Sequence, residues 1–97
     1  MGAEDWEINV LVRAALVKRW VDIRKVHIST TRGTVHLKGT IGFKGAGTVE
    51  EHQSFYMVQI ERDIKAIRGV KGVRMDLLNW EKRRATGRWE KKRKRSV

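Results

Sequence analysis

Three histidines, His27, His36 and His52, are the side chains of this 97-residue chain best suited to metal ligation or to proton transfer near neutral pH. His27 and His36 share the outward phase of two alternating segments and are expected to approach each other across a hairpin. Their spacing compels no third Cys, Asp or Glu, so an exposed or structural pair is expected and no metal site is assigned. If they do meet, charging both at lower pH is unfavourable. Ser29 and Ser54 read as a strand-end residue and a polar helix residue, and Asp22, Asp63 and Asp76 as solvated or ion-paired carboxylates. No catalytic residue follows from them. Gly69-Val70-Lys71-Gly72 carries the GXXG string of a nucleic-acid-clamping loop, but it runs straight into a strand pattern, and Gly42-Phe43-Lys44-Gly45 follows one. Both read as turns, and neither has the longer glycine pattern ending in Lys and Ser/Thr that cradles nucleotide phosphates. The chain is therefore expected to be noncatalytic and to use no cofactor.

Charge is the remaining chemistry. The formal net charge is +11, and residues 81–97 hold nine Lys/Arg against two Glu, while the first eighty residues hold thirteen against nine. Arg83, Arg84, Arg88, Lys91, Lys92, Arg93, Lys94 and Arg95 can neutralise phosphates and release counterions. Trp89, set among them, is read as an exposed ring able to stack on a base or enter a lipid headgroup layer. The competing reading is a flexible solubilising extension with Trp89 folded back. Trp20 and Trp80 are expected to be core or sheet-end covers, and Trp6 a cover at the first helix's entrance.

Positioning these groups falls to a short list of elements. Ile8, Leu11, Val12, Ala15, Leu16 and Trp20 recur at helical spacing after Glu4, Asp5 and Glu7, which predicts a helix from about Asp5 to Trp20. Val26, Ile28 and Thr30, then Val35, Leu37, Gly39, Ile41 and Phe43, alternate with polar residues as strands do, with Gly33 relieving the connection. Gly39 marks a bulge or a close packing against a helix. Thr48 and Glu51 fit a capping box ahead of the stripe Met57, Ile60, Ile64 and Ile67, predicting a second helix from about Glu50 to Ile67, ended by Gly69. Glu61 is spaced to meet Lys65. Val73, Met75 and Leu77 give a last strand. The expected fold is α+β: an αββαβ order with two helices packed on one face of a three-stranded mixed sheet, in a domain spanning 1–80, followed by a flexible basic tail at 81–97.

Val35-His36-Leu37-Lys38-Gly39-Thr40-Ile41 resembles the second strand of the BON domain, and Ile67-Arg68-Gly69-Val70-Lys71-Gly72-Val73 resembles that family's helix-to-last-strand junction. The resemblance covers about Ile8 to Leu78 and leaves the tail outside. It implies a small bacterial αββαβ interaction module, with phospholipid association in some members and no universal catalytic residue. The expected partner is an anionic membrane surface or a protein. The alternative is nucleic acid, contacted by the tail and by Lys38, Lys44, Arg68, Lys71 or Arg74. The chain has no Cys, no apolar run of membrane-spanning length and no secretory pattern at its start. A cytoplasmic or membrane-peripheral location is expected, and a periplasmic one only if a targeting segment has been removed.

Overall fold

The computed structural model describes residues 4–44 and 50–92. Helix α1 spans Asp5–Lys18 and buries Ile8, Val12 and Leu16, one residue per turn along a single stripe. It ends with paired return bonds, from the Trp20 N–H to the Val17 carbonyl (3.0 Å) and from the Val21 N–H to the Leu16 carbonyl (3.1 Å). Trp20 thereby occupies the left-handed position that usually belongs to glycine, at φ 65°. Reversing the chain there turns the indole outward, and Trp20 is 67% exposed. The expectation that Trp20 joins the core is corrected accordingly.

After a 3-10 turn at Ile23–Lys25, strands β1 (Val26–Thr31) and β2 (Thr34–Gly39) pair antiparallel, with Thr31 opposite Thr34. Arg32 and Gly33 connect them, both with positive φ, as a two-residue turn that follows the strand twist requires. The Asp5 carboxylate accepts hydrogen bonds from the N–H groups of Arg32 (3.1 Å) and Gly33 (3.2 Å), so the acid expected only to favour the helix entrance also fixes this turn. Gly39 has φ 103°, and a Cβ there would lie 2.2 Å from the Lys25 carbonyl oxygen. The close approach anticipated from the sequence is therefore to main chain.

Helix α2 (Glu50–Lys65) carries the chain back so that β3 (Gly72–Leu77) pairs parallel with β2. Met57, Ile60 and Ile64 of α2 join Ile8, Val12 and Leu16 of α1, and Val35, Leu37 and Leu77 of the sheet, in one buried cluster. An ion pair between Arg19 and Asp63 (2.9 Å) ties the end of α1 to α2, and Glu61 meets Lys65 at 3.7 Å. The rings of Phe43 and Tyr56 pack tilted against each other with centroids 5.8 Å apart. Thr48 of the expected capping box lies outside the described residues.

The fold does not stop at residue 80. Strands β4 (Trp80–Lys82) and β5 (Trp89–Lys91) form a second, two-stranded antiparallel sheet. Trp80 and Trp89 are 1% and 3% exposed and belong to the core cluster. The boundary expected at Trp80 thus falls inside a hairpin, and residues 81–92 are part of the folded body. The cause is legible in retrospect. The triplet Trp-Glu-Lys occurs at 80–82 and again at 89–91, and pairing the copies antiparallel places each Trp opposite a Lys. Two indoles bury enough apolar surface to hold down strands of three residues.

Candidate anion-binding hairpin

The base of the C-terminal hairpin is anchored by polar bonds that the residue pattern did not announce. The Asn79 side chain accepts from the Ile41 N–H (3.1 Å) and donates to the Ile41 carbonyl (2.7 Å), which also accepts from Trp80 Nε1 (3.0 Å). The Lys92 N–H donates to the Asn79 carbonyl (2.9 Å), and Lys92 Nζ to that of Leu77 (3.0 Å). Lys82 Nζ meets Glu61 at 2.9 Å, fastening β4 to α2. At the tip, the Arg83 N–H bonds the Arg88 carbonyl (2.8 Å), and the Gly87 N–H bonds the Arg83 carbonyl (2.7 Å) with Gly87 at φ 71°.

This framework sorts the expected anion-binding residues. Arg83 is engaged by Glu90 at 2.8 Å, and that hydrogen bond holds its guanidinium pKa above the ordinary value. Lys91 Nζ sits 5.7 Å from the Trp80 ring centroid, a cation–π contact between cross-strand partners. Lys92 is committed to a main-chain carbonyl. Arg84 and Arg88 are exposed at the tip, and among the described residues their guanidinium groups meet no carboxylate. Arg93, Lys94 and Arg95 lie outside the described residues. Trp89 is a correction: its ring lies in the core, so it is not an exposed anchor, and its buried Nε1 has no hydrogen-bond partner among the described residues. A Trp among solvated charges reads as exposed until the alternation Trp89-Glu90-Lys91 is recognised as a strand with one face inward.

A second polar surface is the outward face of β1–β3, carrying His27, Ser29, His36, Lys38, Arg74 and Asp76. The two histidines do not oppose each other. His27 sits beside Lys38, and His36 beside Ser29 on one side and Arg74 on the other. His36 Nε2 lies 2.5 Å from Asp76 Oδ2, with Arg74 3.8 Å from the same oxygen. The His36 hydrogen bond, foremost, holds the Asp76 carboxyl below the usual carboxylate range. Gly69 (φ 96°) turns the chain between α2 and β3, and the Lys71 N–H donates to the Gly33 carbonyl (2.8 Å), so the GXXG segment joins two turns. Among the described residues no group of three His, Asp or Glu converges, and no helix is long and apolar enough to cross a membrane. No family model, curated protein or solved structure matches the chain.

Proposed function

We propose that the chain is a noncatalytic, BON-like interaction module that docks on an anionic phospholipid surface through its C-terminal hairpin. In this reading α1, β1, β2, α2 and β3 are the αββαβ body, with both helices on one face of the sheet, and β4 and β5 are an addition that presents charge. The observation that carries it is the pairing of two opposite environments within one hairpin. Trp80 and Trp89 are fixed in the core, while Arg84 and Arg88 at the tip meet no carboxylate among the described residues. Cations held on a folded tip lose less conformational entropy on meeting a surface than cations on a loose arm. Arg93, Lys94 and Arg95 follow directly in the chain and add to the same attraction.

The same charge also suits nucleic acid, with Lys38 and Arg74 on the outward sheet face extending the positive surface. That face carries no Phe, Tyr or Trp among its outward strand positions, only the imidazoles of His27 and His36, of which His36 is held by Asp76, so it is a poor stacking platform for bases. Lipid is the better fit.

The experiment compares the full chain with an Arg84→Ala/Arg88→Ala variant. Binding is measured to phosphatidylglycerol vesicles, phosphatidylcholine vesicles and single-stranded RNA across a salt series. At about 1 kcal/mol per cation near an anionic surface, the double variant should bind phosphatidylglycerol about thirtyfold more weakly, with a shallower salt dependence. Unchanged vesicle binding refutes the role of the tip, and tighter binding to RNA than to vesicles moves the function to nucleic acid. Cutting the chain at Trp80 is a poor substitute, because it removes a core residue along with the charge.

A further inference from the structure

Strand β1 is an edge of the three-stranded sheet, with no partner on its outer side among the described residues. Thr31 and Thr34 close a two-residue turn, so the main-chain groups of Thr31, Ser29 and His27 face β2. The Thr40 N–H, which donates to the Lys25 carbonyl (3.0 Å), continues the same phase. The N–H and C=O groups of Ile28 and Thr30 are therefore turned away from the sheet, spaced as a docking strand requires.

The side chains at this edge are incompletely covered as well. Val35 and Leu37 on the central strand β2 are fully buried, whereas their counterparts Ile28 and Thr30 on β1 are half-buried. Between β1, α1 and the 3-10 turn lies an open groove of about 670 Å³. Val10, Ile23 and Ile28 give it apolar walls, and Arg13, Arg24 and His27 give it polar ones. Val10 is 59% exposed, and Arg13 is exposed with no carboxylate partner among the described residues. Arg24 already shares its charge with Asp22 at 2.8 Å.

We propose that this groove and edge receive an extended, acidic segment of another protein, which pairs with β1 as a fourth strand. Its main chain meets Ile28 and Thr30, its inward apolar residues cover Val10, Ile23 and Ile28, and its negative charge is attracted by Arg13. Main-chain pairing supplies affinity in such strand addition, and alternate side chains supply selectivity. A second copy of this chain is a poor occupant. It would bring together two bodies each carrying a formal +11.

The test uses the full chain and a capped peptide, Glu-Val-Glu-Val-Glu-Val-Glu, beside the same peptide N-methylated at every residue, which keeps its charge but cannot donate main-chain hydrogen bonds. Binding and amide hydrogen exchange are followed by NMR. The unmethylated peptide should bind and slow exchange at the Ile28 and Thr30 amides at least tenfold at saturation, while the methylated one should give no protection. Arg13→Glu, a change at an exposed position, should weaken binding tenfold or more, and Arg84→Ala/Arg88→Ala should leave it within twofold. Equal binding of the methylated peptide overturns strand pairing and leaves simple charge attraction. Absence of binding at millimolar peptide overturns the site. A dimer with protected Ile28 and Thr30 amides in the absence of peptide assigns the edge to a second copy and also overturns the proposal.

Discussion

Replacing Trp89 with Ala tests whether the end of the chain is arm or core. Truncating a buried Trp to Ala typically costs about 3–5 kcal/mol through lost burial and an unfilled cavity. Trp89 is 3% exposed, which places it in that class, and removing its buried Nε1, which has no hydrogen-bond partner among the described residues, offsets about 1 kcal/mol of that cost. The net expectation is a loss of about 2–4 kcal/mol, a large share of the roughly 5–15 kcal/mol that a small domain possesses. For a domain near 100 residues this lowers the melting temperature by roughly 10–20 °C. Trp89→Phe separates the two contributions. It keeps most of the ring, discards the unpaired N–H, and should stay within about 1 kcal/mol of the parent. Urea unfolding followed by far-ultraviolet circular dichroism gives the midpoint and slope for each protein, alongside thermal melts. If Trp89→Ala melts within 2 °C of the parent, the hairpin does not complete the core and the docking geometry built on it fails.

Two further perturbations probe other parts of the fold. Gly39→Ala places a Cβ 2.2 Å from the Lys25 carbonyl at φ 103°, and should cost about 2–4 kcal/mol in urea unfolding, whereas Gly42→Ala, with open space around it, should stay within about 0.5 kcal/mol; equal effects would refute the close approach. The Asp22 and Asp76 carboxyls are both held below the ordinary range, by hydrogen bonds from Arg24 and from His36 respectively. Folded values below unfolded ones mean stability that is present above about pH 4 and lost as pH falls through the folded values, so an Asp22→Asn/Asp76→Asn variant should show a shallower loss of stability than the parent between pH 4 and 2; parallel curves would count against both pairings.

The elements with a strong period were readable, and those fixed by single contacts were not. The stripes of α1 and α2 and the alternation at 26–30 and 35–41 give helices and strands because burying one face demands a fixed repeat. Trp20 broke the pattern by continuing the apolar stripe of α1 into a position where the backbone turns left-handed, a reversal that no side-chain periodicity encodes. Asn79 has no sequence signature either, since its role is set by the distant main chain of Ile41. On the hairpin, charge density at 81–97 concealed a repeated Trp-Glu-Lys triplet whose two copies carry the indoles. Arg84 and Arg88 belong to the basic cluster legible in the sequence, but nothing in composition separates them from Arg83, whose partner Glu90 is reached only when the strands pair.

The parallel pairing of β2 with β3 bears on how quickly the protein reaches its native state. The β1–β2 and β4–β5 hairpins close over short loops and can form on a microsecond timescale. Thr34, by contrast, must find Gly72 across the whole of α2 before that contact gains anything. Until then Val35 and Leu37 have no third strand beside them, so the docking of β3 sets the pace of folding. A mutation that weakens β3 slows folding to the extent that this pairing is formed in the transition state, while one in an independently formed hairpin acts mainly on unfolding.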